Sequence, residues 1–336
     1  MTESSLKKLR IATRGSQLAL WQAHYVAGLL QNKGAACELD IIKTTGDRVQ
    51  DRFLHEIGGK GLFVKELEEA MRAGTADLAV HSLKDLPARI PVGFTLPAIL
   101  TRHTPEDVLI FNPKSLARLQ LPGDPSLSRE QMAALGPLTI ATASLRRQSL
   151  LKALPNPMTL VPIRGNVDTR IRKLNEGDWD GLILAGASIE RLGLRHLPHR
   201  LLDASWFVPC AAQGALAIET PANSPHQALL ETLSDKTTYA CAAMERRVLE
   251  LLGGDCTMPF GAFCFYDNTK GLTTARALVL DYEGGEARIE RQFPGRPEAL
   301  DLDATAHTLI EALEEVGVVS VLEKLKIKAP ILGPLS

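Results

Sequence analysis

The chain has 336 residues, 45% of them hydrophobic and 23% charged, with 38 Lys+Arg against 39 Asp+Glu and a formal net charge of −1. That length supports two or three domains with sizeable cores. The charge balance excludes a global field toward nucleic acid or an anionic membrane, so any anion must be met by local clusters. No apolar run is long enough to span a bilayer, the first ten residues carry no apolar signal core, and the chain is expected to work in the cytoplasm. Five cysteines (37, 210, 241, 256 and 264) lack C-x-x-C spacing, which argues against a disulfide framework or a zinc site.

Leu9 to Thr13 reads as a strand, followed by Arg14-Gly15-Ser16 and a helix to about Lys33 whose apolar stripe is Leu18, Trp21, Tyr25, Leu29 and Leu30. Ser16 is placed to cap that helix, leaving Arg14 and free N–H groups at a turn suited to an anion. A second strand follows over 37–43. The glycine-bearing loop 44–61 lacks the spacing of a nucleotide-binding P-loop and contains Lys60; a helix is expected over 62–73. Next comes V-H-S-L-K-D-L-P (80–87), an apolar strand ending in Ser82, Lys84 and Asp85. In open α/β sheets, ligands bind at the carboxyl ends of strands.

Strands are expected at 93–100 and 107–111, and a Pro/Gly-rich boundary or surface insertion at 112–137. Alternation then resumes: strand 138–141, helix to about 154, strand 159–163, helix 167–175, strand 181–184 and helix 187–192, pointing to a second, parallel-sheet lobe. Its strand-to-helix turns carry Thr142, Ser144, Arg146 and Arg147, then Arg164, Asn166 and Arg170, with Arg191 beyond. Two arginines in the first turn of a helix oppose its macrodipole, so an anion is expected between them and the free N–H groups. Guanidinium groups pair bidentately with carboxylate or phosphate. The small-residue run 209–219 ends in a strand that would return the chain to the first lobe. A helix at 237–251, the loop G-G-D-C-T-M-P-F-G (253–261), three strands over 262–293 and two helices (301–315 and 320–326) complete a small α+β part. Cys256, beside Asp255 in a glycine loop, suits a permanently modified thiol better than a low-pKa nucleophile.

Seven segments in this order resemble the hydroxymethylbilane synthase (porphobilinogen deaminase) family: 11–23, 58–68, 80–87, 144–148, 164–170, 183–193 and 253–261. The resemblance implies an α/β fold of two periplasmic-binding-protein-like lobes joined by a hinge, plus a C-terminal α+β domain. The divisions would be 1–105 continued by 214–234, 106–213, and 235–336. It implies a transferase that deaminates porphobilinogen, joins the units head to tail on a covalent dipyrromethane, and releases linear hydroxymethylbilane for a downstream uroporphyrinogen synthase. The cofactor's thioether falls on Cys256 and the catalytic aspartate on Asp85, with Lys84 beside it. Cofactor contacts fall on Ser82, Lys84, Thr142, Ser144, Arg146, Arg147, Asn166 and Arg170, and substrate contacts on Arg14, Ser16, Lys60, Arg164 and Arg191. No metal or nucleotide is called for. Departures from the family pattern are Asp255 before the cysteine, Ala143 in T-A-S-L-R-R, and A-A-Q-G (211–214) for V-G-Q-G. The lobes and arginines alone would equally suit a non-enzymatic binding protein for a polycarboxylate; that alternative leaves the cysteine loop unexplained.

Overall fold

The computed structural model describes residues 8–45, 64–156, 158–254 and 258–325. The chain divides into two compact units, one comprising residues up to Arg102 with Ala215–Tyr239, the other His103–Gly214 with the residues from Ala240 onward.

In chain order the first unit starts with β1 (Leu9–Thr13), α1 (Gln17–Asn32), β2 (Cys37–Ile41), α2 (Lys65–Arg72), β3 (Leu78–Ser82), a single 3-10 turn (Leu83–Asp85) and β4 (Phe94–Ile99). The second unit follows with β5 (Asp107–Phe111), α3 (Pro113–Leu116), β6 (Ser126–Leu127), α4 (Arg129–Ala134), β7 (Thr139–Ala141), α5 (Leu145–Lys152), β8 (Thr159–Val161), α6 (Val167–Glu176), β9 (Gly181–Ala185), α7 (Gly186–Arg191) and β10 (His199–Leu202). β11 (Leu216–Pro221) and α8 (Gln227–Glu231) return to the first unit. Then come α9 (Lys236–Leu251), β12 (Phe260–Asp267), β13 (Leu272–Leu280), β14 (Glu286–Pro294), α10 (Leu302–Glu315) and α11 (Val318–Lys324).

The first sheet has the order β2-β1-β3-β11-β4, with β1 parallel to β2 and β3, and β11 antiparallel to both its neighbours. Its inner strands β1, β3 and β11 are mostly buried on both faces, as a sheet covered by helices requires. Ala23, Val26 and Leu30 of α1 pack on Leu78, Val80 and Ile218 from one side. Leu67 and Met71 of α2 meet Ala12 and Ala79 from the other.

In the second unit the order is β6-β10-β5-β9-β7-β8. β7, β8 and β9, the strands of the β-α alternation, run parallel as expected, but β5 is antiparallel to β9 and to β10, so the parallel-sheet lobe is a mixed sheet. Hydrophobic periodicity marks a strand without revealing its direction. The stretch read as a surface insertion also contributes structure: β6 pairs with β10, and Leu127 and Met132 are fully buried. The antiparallel sheet β12-β13-β14 belongs to the same unit, where Phe263, Leu278 and Leu280 share one core with Leu151, Trp206 and Phe207. Full burial of each large side chain contributes about 1.5–3 kcal/mol, which ties the C-terminal sheet to its neighbour. The architecture is the expected α/β class with an added α+β part. Among the described residues, no helix is long and apolar enough to cross a membrane.

Candidate active site

β1 and β3 lie side by side and parallel, in the register Ile11↔Leu78 and Ala12↔Ala79, so both end at one edge of the first sheet. Arg14 and Ser16 follow β1. The Ser16 hydroxyl accepts from the Ala19 N–H at 3.3 Å and caps α1 as expected. Ser82 closes β3 and accepts from the Gln22 side-chain amide at 2.9 Å, so the hydroxyl keeps its own proton to donate. The following turn is anchored by its apolar residues. Leu83 is fully buried and its N–H donates to Ala215 O at 3.1 Å, while buried Leu86 donates to Leu83 O at 3.2 Å. Between these anchors Lys84 is half-buried and Asp85 is exposed. The structure thus gathers Arg14, Ser16, Ser82, Lys84 and Asp85 at one sheet edge.

The second unit repeats the layout. β7 is flanked by parallel β8 and β9, so the turns after β7 and β8 share an edge. Ser144 Oγ accepts from the Arg147 N–H at 3.5 Å, and Thr142 Oγ1 accepts from the Ser144 N–H at 3.2 Å. After β8, Gly165 sits at φ +114°, where an added Cβ would lie 2.9 Å or less from the Thr169 side chain; only glycine fits. Arg170 Nε donates to Gly165 O at 2.8 Å, half-buried Arg164 precedes it, and exposed Asn166 begins α6 without a side-chain cap bond.

Arg146 and Arg147 are where the structure adds most. Both are buried, and the anion between them belongs to the chain. Asp107 Oδ2 accepts from Arg146 Nη2 at 2.6 Å, and Oδ1 accepts from Arg147 Nε at 3.0 Å and Nη2 at 2.6 Å. Gln213 Nε2 donates to the same Oδ1 at 3.0 Å. The remaining bonds run from Arg146 Nη1 to Val208 O (2.8 Å) and from Arg147 Nη1 to Ile183 O (2.9 Å). Burial would push the Asp107 carboxyl up, but the two guanidiniums outweigh it and hold the group at about 2. The cost of two cations in one helical turn is therefore met internally. One carboxylate against two guanidiniums still leaves a net positive charge at this edge, and each guanidinium has more N–H groups than these bonds use.

Arg191 is buried at the end of α7, donating to Gly214 O at 2.7 Å, with His103 Nδ1 at 3.5 Å. Lys60 and Cys256 lie outside the described residues. Gln22, Asp107 and Gln213 support these turns without having been expected to. Asp107 offered one signal, a charge opening an otherwise apolar strand, and Gln213 another, its place in A-A-Q-G; Gln22 offered none. Among the described residues, no cluster of metal-ligating side chains occurs.

The family model for the porphobilinogen deaminase dipyrromethane cofactor binding domain matches residues 9–228. The chain is 42% identical over 296 residues to the porphobilinogen deaminase of Bordetella parapertussis, covering 87% of this chain and 89% of that one. It is 38% identical over 320 residues to the Thiobacillus denitrificans porphobilinogen deaminase, covering 94% and 98%. With the Neisseria meningitidis serogroup A enzyme the identity is 41% over 292 residues, covering 86% and 89%. A match of this extent, on a chain whose two sheet edges carry the expected polar turns, places the protein in the porphobilinogen deaminase family.

Proposed function

We propose that Asp85 is the carboxylate that carries the chemistry of this transferase, which deaminates porphobilinogen and joins the units into linear hydroxymethylbilane. The observation that carries the assignment is the turn itself: buried Leu83 and Leu86 fix a short 3-10 segment on which Asp85 is solvent-facing, at the edge shared with Arg14, Ser16 and Ser82. When ammonia leaves an aminomethylpyrrole, positive charge develops on the substrate ring, and a fixed carboxylate stabilises it. A carboxylate oxygen of Asp85 also accepts the proton that the attacked ring must lose. Lys84 keeps local charge in balance beside it.

The dipyrromethane, joined to Cys256 through a thioether, supplies the primer onto which units are added. Its acetate and propionate groups call for cationic and hydroxyl donors, and the donor set fits: Ser82, Lys84, Thr142, Ser144, Arg146, Arg147, Asn166 and Arg170 would hold it. Arg14, Ser16, Lys60, Arg164 and Arg191 would meet the carboxylates of incoming substrate. The working division is 1–105 with 214–234 for the carboxylate, 106–213 for the arginines and 235–336 for the cofactor cysteine. The product passes to a downstream uroporphyrinogen synthase in the cytoplasm.

Intact mass tests the reading. Cofactor-loaded protein should exceed its sequence mass by one dipyrromethane, and limiting porphobilinogen should add a ladder of single pyrrole units. The Cys256→Ser variant should show neither. Active protein with an unmodified Cys256 would overturn the assignment.

A further inference from the structure

Behind the Asp85 turn is a buried polar cluster to which the chemistry above assigns no role. β3, β11 and α2 each bring one ionisable side chain to it: His81, Glu219 and Glu68. Glu219 is 0% exposed, His81 6% and Glu68 7%. His81 Nε2 lies 3.0 Å from Glu219 Oε2, at ion-pair distance but not aligned as a hydrogen bond. Strand alternation puts His81 on the same face as Ala79, which packs against Leu67 and Met71 of α2 and faces away from Ser82. Glu68 Oε2 accepts from Arg72 Nη2 at 3.2 Å, and that guanidinium lies 4.7 Å from the centre of the Phe94 ring. Burial, and then the charge of Glu219, hold the Glu68 carboxyl above its ordinary range, against the pull of Arg72 and His81.

Among the described residues, the charges of this cluster do not balance without another proton. Glu219 and Glu68 bring two negative charges, and Arg72 brings one positive charge on a side chain that is 53% exposed. Among the described residues, the one polar nitrogen within reach of the Glu219 carboxylate belongs to His81. A buried carboxylate so poorly supplied is costly. Apolar residues would fill the same space at lower cost, so retention of the pair calls for a reason in geometry. Leu216 of β11 pairs with Ser82 in register, and the residue before it, Ala215, accepts the Leu83 N–H that anchors the turn. β11 therefore grips the end of β3 twice, by backbone at Leu83 and by side chain at His81.

We propose that His81 and Glu219 are positioning residues for the Asp85 turn, held as a buried ion pair so that β3 ends in a single geometry. Among the described residues, the charged groups around His81 are Glu219 from β11 and Glu68 from α2, with Arg72 of α2 paired to Glu68. Without that pairing, two buried carboxylates face one half-exposed guanidinium, and the strand end relaxes. The proposal rests on Asp85 being the catalytic carboxylate, but separate measurements judge the two: turnover of Asp85→Asn for one, ring signals of His81 for the other.

The test uses cofactor-loaded full-length enzyme. Nitrogen NMR of 15N-histidine-labelled protein should show the His81 ring protonated on both nitrogens at pH 7, and Glu219→Gln should abolish that signature. In steady state, Glu219→Gln and His81→Asn should each lower kcat by roughly ten- to a hundredfold through misplacement of the carboxylate, with KM for porphobilinogen nearly unchanged. The double variant should fall no further than the worse single, as coupled residues do. A singly protonated His81 ring in the wild-type protein overturns the proposal, and does so even if no variant folds. So does a pair of variants that lose thermal stability while their folded fraction keeps wild-type kcat.

Discussion

At the end of β3 the carboxylate of Asp85 is exposed, on a turn whose neighbours are a lysine, a serine and an arginine. At the start of β5 the carboxylate of Asp107 is 0% exposed and locked between Arg146, Arg147 and Gln213. Both belong to strand-to-helix edges of similar layout, yet one carboxylate faces solvent and the other is spent on the protein. An exposed carboxylate can follow charge as it appears on a substrate. A buried one with two guanidiniums fixes where those guanidiniums point and leaves an unbalanced positive charge. On the proposed function, the first edge reacts and the second holds.

That contrast can be broken most sharply at Asp85. Replacement by Asn should lower turnover roughly 10²–10⁴-fold with stability and cofactor mass unchanged, as read by porphobilinogen consumption beside a melting curve. Near-normal rates would remove the distinction between the edges. At Asp107 the loss should fall on the fold. Asp107→Asn strands two buried guanidiniums and should cost about 3–5 kcal/mol in urea unfolding. A matching acid limb follows. The folded carboxyl is held at about 2, below the unfolded value of about 3.9, so its contribution is complete above pH ~4 and lost as pH falls toward 2. That amounts to about 2.5 kcal/mol. An Asn variant with an unaltered acid limb would contradict the assignment.

The smallest effect is at Ala212, beside Gln213. It is the one non-glycine among the described residues with positive φ, at 61°, and it stands where the related pattern has glycine. Its N–H donates to Glu245 Oε2 at 2.5 Å, which holds the strained geometry in place. Ala212→Gly should relieve the left-handed strain and stabilise by about 1 kcal/mol or less, because added freedom in the unfolded chain offsets part of the gain. A lower melting temperature would show that the alanine is not strained.

Much of this was legible in the chain. Apolar runs bounded by Gly, Ser and Arg placed β1, β3, β5 and β9, and Ser16 and Ser144 cap the helices they precede. Strand direction was not legible, which is why β5 disappointed the parallel expectation, and the two-residue β6 was hidden among prolines and glycines. The turns bearing site residues could be read because polar groups interrupt apolar strands there. Their supports could not. Asp107 meets Arg146 and Arg147 across nearly forty residues, and Glu219 meets His81 across more than a hundred. No local pattern records such meetings, and His81 by itself reads as an ordinary core histidine.

The place of β11 in the first sheet has a consequence for how the molecule is made. It lies between β3 and β4, yet the ribosome delivers it only after residues 103–214. Until then β3 and β4 each present an open edge to the cell, the condition that invites wrong pairings. Closing the sheet demands contacts distant in sequence, which fold slowly. The emerging first unit must therefore wait, half-zipped, through synthesis of much of its neighbour, and the acid that meets His81 arrives on the strand that ends the wait. A message cut short before codon 216 yields not a smaller enzyme but a sheet with its middle missing.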